Sequence, residues 1–484
     1  MHFFSSVSRS VIQLSTLLIT VLAFMPGTSS AASACTHYAS PTGTGSGASP
    51  SQPFKVANFW AVAKSGSTLC LLDGQYTGSA SMITPPSGLS GTALAPITIR
   101  ALNDGKVRIN GQGIYVPIQL SNNDWFIVEG FNASDSAGVV VNITNGSDHN
   151  IVRRVCAWNA NPDTNVNVWQ VYQSQYNLFE DVCGFGSGRK IFSNSQGGNF
   201  TTIRRAWGRW EKSTQTGPKT TYEIVYRSYD SIYENIIGTW DETAMGGAPV
   251  DQPNGIFTTT GGLDQANQCA RSKILGAIAY VTANQKANSW LGALVGARSV
   301  DCFDFTDVAV YIEPGTHTNL RPVLGQKFDG LFKTQDTVLN APFGERNLIK
   351  VTEIGGSASS ISTDPVNGWT KTNHVDANTV SAAPNIFDGS ATQGAHVCKR
   401  YKDGVLTSDP LWPWPMNQRI IDAMVESGRT AVDVTATVES MFGPIPNSCK
   451  TSSTVVTPPA PSPIPTPIPV VSIPPAPTNL LVAP

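Results

Sequence analysis

The 484-residue sequence predicts an all-β protein, a right-handed parallel β-helix with a capping helix at its N-terminal end and a disulfide-clipped cap at its C-terminal end. Three observations predict this fold: a short segment that repeats along the chain, an alternation of charge within that segment, and two cysteines that share one of its positions. A single coil cannot bury its own apolar face, so a stack of coils is needed to form a core.

The repeat is a seven-residue segment whose five best copies start 24 to 30 residues apart, a period typical of one turn of a β-helix. These copies begin at Ile127, Ile151, Leu178, Thr202 and Ile232, and weaker ones begin at Ile274, Asp304 and Ile349. Strand alternation predicts that the second and fifth positions point inward. The predicted inward residues are Val128, Val152, Phe179, Ile203, Tyr233, Phe131, Val155, Val182 and Ile236. A second short strand before each copy predicts a further sheet, at residues 139–143, 168–172, 190–193, 223–226, 256–259 and 294–296.

The third position of the repeat alternates in charge, through Glu129, Arg153, Glu180, Arg204 and Glu234. In-register parallel strands place these side chains in one column, about 4.8 Å apart, where opposite charges attract and like charges would repel. We therefore expect a structural charge ladder rather than a catalytic cluster. The next position holds Arg154, Asp181 and Arg205, and we expect it to lie at a bend.

Eight cysteines follow residue 34, and an even number of cysteines in an exported chain indicates disulfide bonds. Cys156 and Cys183 both occupy the sixth repeat position in adjacent coils, which brings them within bridging reach. Sequence alone does not fix the connectivity. Pairing in order of neighbours predicts the bonds Cys35–Cys70, Cys156–Cys183, Cys269–Cys302 and Cys398–Cys449.

The start of the chain has the order of a secretory signal peptide: a positive residue (Arg9), an apolar run from 11 to 24, and small residues up to Ala34. A lipidated Cys35 is the alternative, but Leu rather than Ala would then usually occupy position 32. The sequence divides into a signal peptide (1–34), an N-terminal cap (35–75) with a helix over 53–64, a parallel β-helix (76–397), a C-terminal cap (398–449) and a proline-rich disordered tail (450–484).

Composition excludes several classes of function. The net charge is −2, only 14% of residues are charged, and no basic run exists, so nucleic-acid binding is not expected. No segment after the signal peptide is long and apolar enough to span a membrane. His149, His317 and His396 lack the spacing of zinc ligands. The mature protein is expected to be a monomer that is secreted, either extracellular or periplasmic.

Five stretches carry a resemblance to a known family. They are residues 38–43 with 51–54, residues 71–76, residues 403–407, and residues 411–416 followed by Arg419. Together with the coil repeat, they resemble bacterial secreted right-handed parallel β-helix proteins of the pectate-lyase-like superfamily, over residues 35 to 449. The resemblance implies the fold. Because that superfamily contains lyases, hydrolases and epimerases, it does not select one activity.

A β-helix of this kind binds extended polymers along one flank, between walls built by loops. The leading hypothesis is a polysaccharide lyase that cleaves an acidic (uronate) glycan by β-elimination, with a basic side chain as the proton acceptor and Ca²⁺ on the substrate carboxylate. The candidate bases are Lys190, Arg209 and Lys212, and the candidate Ca²⁺ ligands are Asp181, Asp241, Glu242 and Asp251. The candidate sugar-stacking residues are Trp158, Trp207, Trp210, Tyr226 and Trp240.

Two alternatives remain open. The protein could instead be a non-catalytic glycan-binding, surface or matrix protein, and the loop tryptophans fit local packing as well as sugar stacking. A glycoside hydrolase is less expected, because it needs two carboxylates at a fixed separation and the adjacent Asp241 and Glu242 would diverge on a strand. Trp412 and Trp414 are expected to pack within the C-terminal cap.

Overall fold

The structure is a computed structural model. It describes residues 34–217, 219–225, 228–245, 253–260, 272–281, 292–295, 303–312, 321–324, 328–334, 348–349, 351–354, 371–372, 375–376, 387 and 397–451. The predicted signal peptide up to residue 33, the tail beyond residue 451 and the predicted Cys269–Cys302 bond lie outside these residues. Within them, no helix is long and apolar enough to cross a membrane.

The described chain is mostly β-structure. In chain order the strands are β1 His37–Ala39, β2 Thr68–Leu71, β3 Gly74–Tyr76, β4 Ile97–Ala101, β5 Val107–Asn110, β6 Ile118–Ser121, β7 Phe126–Glu129, β8 Asn132–Ser134, β9 Val141–Thr144, β10 Ile151–Trp158, β11 Asn167–Tyr172, β12 Leu178–Ser187, β13 Lys190–Ser195, β14 Thr202–Lys212, β15 Lys219–Val225, β16 Ile232–Glu234, β17 Ile237–Trp240, β18 Pro253–Thr260, β19 Ser272–Leu275, β20 Ile278–Val281, β21 Gly292–Val295, β22 Phe303–Ile312, β23 Arg321–Leu324, β24 Phe328–Thr334, β25 Leu348–Ile349, β26 Val351–Ile354, β27 Lys371–Thr372, β28 Val375–Asp376, β29 Lys399–Lys402 and β30 Val405–Pro410. The helices are α1 Val56–Phe59, α2 Asn417–Glu426 and α3 Val434–Phe442, with 3₁₀ turns at Ser79–Ser81 and Asn447–Cys449.

Two parallel sheets form a β-solenoid. Sheet B consists of β6, β9, β11, β13, β15, β18, β21 and β23, one strand per coil. Sheet A contains most of the remaining strands, and β29 and β30 form a separate antiparallel hairpin. The six strands predicted before the repeats correspond to β9, β11, β13, β15, β18 and β21 of sheet B.

The register of sheet A confirms the predicted repeat. Val152 pairs with Phe179, and Cys156 pairs with Cys183, with which it forms a disulfide. All nine predicted inward residues are buried in one core between the sheets. Aromatic rings stack along this core, where the Phe192 ring lies 4.7 Å from the Tyr222 ring in the next coil.

The charge ladder also forms as predicted. Arg153 contacts Glu129, and the Arg204 guanidinium lies 3.8 Å from Glu180 and 3.6 Å from Glu234. Arg100 extends the ladder by one coil, 3.7 Å from Glu129. The adjacent residues lie at the bend of sheet A in the left-handed region, with φ of 53° at Arg154, 52° at Asp181 and 51° at Arg205.

The N-terminal region has less helix than predicted. The expected helix over 53–64 is not confirmed: α1 spans only Val56–Phe59, and turns follow it. Val56 and Phe59 are nevertheless buried against the first coil. The predicted Cys35–Cys70 disulfide is present and joins the first residues to β2.

The C-terminal segment, defined here as residues 397–451, contains the hairpin β29–β30 and helices α2 and α3, and the Cys398–Cys449 disulfide closes it. We expected it at the end of the stack. Its contacts instead run along the outer face of sheet A, where Arg419 donates to Asn132 (2.7 Å) and Arg204 donates to Asp403 (2.7 Å). Beyond the bend of sheet A this face is largely apolar, and covering it removes apolar surface from water. The covered flank, as we call it, comprises Cys156, Trp158, Cys183, Phe185, Trp207 and Ile237.

Candidate functional site

Two of the predicted sugar-stacking tryptophans lie on the covered flank. Trp158 stacks on Phe185 with ring centroids 5.3 Å apart, and Trp207 lies under the Arg209 guanidinium at 5.9 Å. Both indoles are fully buried beneath the C-terminal segment. The structure therefore gives them a packing role in place of the predicted contact with sugar.

Trp210 and Trp240 point the other way, into the solenoid. Their rings stack 4.2 Å apart, and both indoles are fully buried. Trp210 donates to the Gly188 carbonyl (2.9 Å), and Trp240 donates to the Glu242 carboxylate (2.8 Å). These two tryptophans also serve the core rather than a ligand. Tyr226 lies outside the described residues.

Arg209, a predicted base, belongs to an ion network under the C-terminal segment. Its guanidinium donates to Glu211 at 2.6 and 2.9 Å, and Glu211 also accepts from Arg429 at 2.8 Å. Arg209 and Glu211 are both buried. Lys212 ends the same strand and is partly exposed. The network ties the turn that follows α2 to the solenoid through Arg429, and it holds Arg209 away from solvent.

The predicted Ca²⁺ ligands do not converge. Asp181 accepts two hydrogen bonds from Arg205, at 2.7 and 3.0 Å. Asp241 accepts from the backbone amide and hydroxyl of Thr243, whereas Glu242 accepts from Trp240, so the two adjacent carboxylates diverge as expected. Asp251 lies outside the described residues. Among the side chains that the structure describes, no group of three or more His, Cys, Asp or Glu could hold a metal ion. A calcium requirement stays a prediction.

Lys190 lies on a different surface, the outer face of sheet B. Its ammonium contacts the Glu223 carboxylate, and the Ser193 hydroxyl donates to the same carboxylate oxygen at 2.7 Å. Lys190 keeps 12% of its side chain exposed, against 5% for Glu223. The three predicted bases are therefore not brought together: Arg209 lies on the flank of sheet A, and Lys190 on sheet B.

A continuous row of polar side chains surrounds Lys190. The polar column, as we name it, consists of Gln119, Asn142, Gln170, Ser193 and Glu223, which occupy registered positions in five successive strands of sheet B. The amides bond to one another along it: Asn142 donates to Gln119 (3.0 Å) and Gln170 donates to Asn142 (3.1 Å). These three amides are partly exposed, whereas Ser193 and Glu223 are buried. The column therefore offers solvent a strip of amides that ends at the Lys190–Glu223 pair.

A second row of aligned side chains lies at the corner between sheets B and A. The aromatic ladder, Trp125, His149, Tyr176 and Phe200, has ring centroids 4.1, 4.8 and 4.7 Å apart and nearly parallel planes. Tyr176 and Phe200 are 45% and 37% exposed. Because the inner rings are covered on both faces by their neighbours, the ladder presents ring edges to solvent. Burial lowers the pKa of His149 from its ordinary value.

Comparison with known proteins adds a general likeness of fold. The sequence matches no protein-family model and no curated protein. Similar solved structures include a pectate lyase (TM-score 0.46, 12% identity, 80% of this chain and 90% of that chain) and an alginate lyase from a Paenibacillus species (0.40, 14%, 65% and 95%). A lacto-N-biosidase from Eubacterium ramulus is also similar (0.40, 11%, 70% and 67%). At these scores the likeness carries no information on activity.

Both rows were missed in the sequence, although a signal for each was present. Every residue of the aromatic ladder stands two positions before the start of a repeat copy. The polar column occupies one fixed position of the strand that precedes each repeat copy, and its five strands carry an amide, a hydroxyl or a carboxylate there. Comparing outward as well as inward positions between copies would have found them.

Proposed function

We propose that the protein is an exported, carbohydrate-active β-solenoid protein that holds an extended glycan against the polar column. The observation that carries this proposal is the column itself, a row of hydrogen-bonding side chains with one member per coil. Parallel strands are about 4.8 Å apart, a spacing close to the length of one sugar residue in an extended chain. A glycan lying along the solenoid axis would meet a new polar side chain at each sugar.

The amides of the column suit sugar hydroxyls. Each primary amide has two N–H donors and an oxygen with two lone pairs. Asn142 and Gln170 each donate one N–H within the column, which leaves a second N–H directed to other partners. A mutual amide network holds these groups in place, so little side-chain freedom is lost when a ligand binds. Export is supported by three disulfides among the described residues.

β-Elimination on an acidic glycan is a second candidate, and Lys190 favours it. This lysine is the predicted base that lies on the same face as the polar column and beside a carboxylate. A role in abstracting a proton would require the Lys190–Glu223 contact to open when substrate binds. Among the described residues, the carboxylates do not form a calcium site.

Incubation of the mature protein with pectate, alginate and chondroitin in Ca²⁺, followed by ultraviolet absorbance of the unsaturated product, tests the elimination. The lyase candidate expects product from one of these glycans and at least a hundredfold slower formation in Lys190→Ala, which removes the base. Lys273→Ala, at an exposed lysine on β19 of sheet A, is the matched control and should retain the parent rate. Absence of product from every acidic glycan, in a protein that still binds glycan, would leave binding as the function.

A further inference from the structure

We infer that the glycan bound by the polar column is uncharged, with hydroxyl or acetamido groups rather than carboxylates facing the protein. This inference rests on the proposed function and names its substrate class. Within the column and its registered neighbours Asn167 and Lys190, the charged groups are Lys190 and Glu223, and these contact each other. The strip that a ligand meets is therefore electrically neutral.

A polyuronate would be poorly matched by this strip. Each uronate carboxylate brought against the protein loses water, and this loss is offset when a cation or several strong donors replace it. The Lys190 ammonium is engaged by Glu223, and Gln119, Asn142 and Gln170 offer neutral amides. Most described arginines that could pair with carboxylates are instead used within the charge ladder and beneath the C-terminal segment, as with Arg204 and Arg209.

Neutral sugar groups fit the same atoms well. A hydroxyl both donates and accepts, as does an acetamido group, and so each can complete the hydrogen bonding of a primary amide. Asn167 provides a further feature. Its amide nitrogen donates to Gln170 (2.7 Å), while its oxygen is buried and has no hydrogen-bond partner among the described residues. Because this oxygen is enclosed, it would accept a hydrogen bond from a ligand hydroxyl after the Asn167 side chain turned outward.

Titration of the full mature chain with defined oligosaccharides tests the inference. The neutral probes are cellohexaose, mannohexaose and chitohexaose, and the acidic probes are oligogalacturonate and oligoalginate of the same length. We expect a neutral probe to bind with an affinity that added salt leaves unchanged, and the acidic probes to bind at least tenfold more weakly. Acidic probes that bind more tightly than every neutral one would overturn the inference and leave the proposed function standing. If no probe binds, both fail.

Gln170→Ala locates the site. This substitution removes the amide group of Gln170 from the column, and we expect the neutral probe to bind about tenfold more weakly as a result. Gln75→Ala is the matched control, because Gln75 is an exposed glutamine on β3 of sheet A, and it should leave the affinity unchanged. If Gln170→Ala, Gln75→Ala and the parent all bind the probe with equal affinity, the ligand does not bind at the polar column, and the inference is overturned.

Glu223→Gln provides a second readout that does not depend on losing function. It preserves the size of the side chain while freeing the Lys190 ammonium on the same face. We expect this variant to gain binding of oligogalacturonate, at least tenfold, and this gain should disappear at high salt. An unfolding transition matching that of the parent checks that the variant is folded. If the folded variant shows no gain, the charge balance of this face does not select the ligand.

Discussion

At the scale of single residues, His149 shows how the corner of the solenoid responds to pH. Burial between Trp125 and Tyr176 lowers its pKa from 6.5, although Asp148 and Asp124 oppose this shift. As the pH falls below 6.5, the unfolded chain therefore takes up a proton at this position before the folded protein does. We expect the free energy of unfolding to decrease progressively below pH 6.5, measured by chemical denaturation at a series of pH values.

His149→Phe isolates this effect. A phenyl ring preserves the stack, and Phe200 already occupies the corresponding position with φ of 54°, so the backbone conformation is compatible. The pKa of His37 is also lowered, by burial and by Lys64, but His37 is present in both proteins and its contribution cancels. The variant should lose less stability than the parent between pH 6.5 and 5. Parallel pH profiles for the two proteins would contradict the prediction.

Residue-level features that depend on neighbouring coils were predictable from the sequence. Glu129, Arg153 and Glu180 alternate in charge at one repeat position, and in the structure they pair across adjacent strands. The roles of Trp158 and Trp207 were not predictable in the same way. Whether an outward indole contacts sugar or protein depends on what covers it, and the covering segment begins only at residue 397, far along the chain from both tryptophans.

At the scale of elements, helix α2 joins the C-terminal segment to the early coils through Arg419. Its guanidinium donates to Asp104 (2.9 Å), to the Gly130 carbonyl (3.3 Å) and to Asn132 (2.7 Å). Arg419→Met keeps the apolar stem but leaves these acceptors without their donor. We expect this change to lower the free energy of unfolding by about 3 kcal/mol, measured by urea denaturation.

Gln418→Ala serves as the control for the same helix. Gln418 is exposed and donates to Asp422 one turn away, so its loss should cost at most about 0.5 kcal/mol. Equal effects of the two substitutions would mean that α2 is held by apolar packing alone. The position of α2 on the flank could not be read from the sequence, because the amphipathic pattern of a helix shows that one face is buried without showing against what.

The strands of the coils were more accessible to prediction than the helices. Each strand of the solenoid can be predicted from its own repeat copy and from the matching copies before and after it, as with β10, β12 and β14. The helix predicted over 53–64 had apolar residues at suitable spacing, yet only Val56–Phe59 is helical. Short helices are weakly determined by local sequence, because one turn gains few hydrogen bonds for the residues that it fixes.

At the scale of the whole molecule, the Cys156–Cys183 disulfide lies where the solenoid meets the C-terminal segment. It closes a loop of 27 residues. Replacing both cysteines with alanine should lower the free energy of unfolding by about 3.5 kcal/mol through the added freedom of the unfolded chain. Chemical denaturation of the oxidised parent and the double variant measures the difference.

The same experiment distinguishes the disulfide from the packing around it. Reduction of both proteins under non-denaturing conditions breaks their disulfides but keeps the sulfur atoms of Cys156 and Cys183 on the covered flank of the parent, so the reduced parent should be more stable than the reduced double variant. Peptide mapping without reduction should find Cys35–Cys70, Cys156–Cys183 and Cys398–Cys449. A crossed pairing would contradict the register of the coils.

The polar column has a consequence for long polymers. Its members recur once per coil, so a glycan shifted by one coil meets a similar set of donors and acceptors. A repeating glycan longer than this strip could place any successive group of its sugars against the three exposed amides, and its apparent affinity would therefore rise with length through the number of these placements. The distance between successive members of the column is set by the hydrogen-bonded backbone strands. Substituting side chains can therefore change how tightly a sugar binds at each member without changing where the members lie.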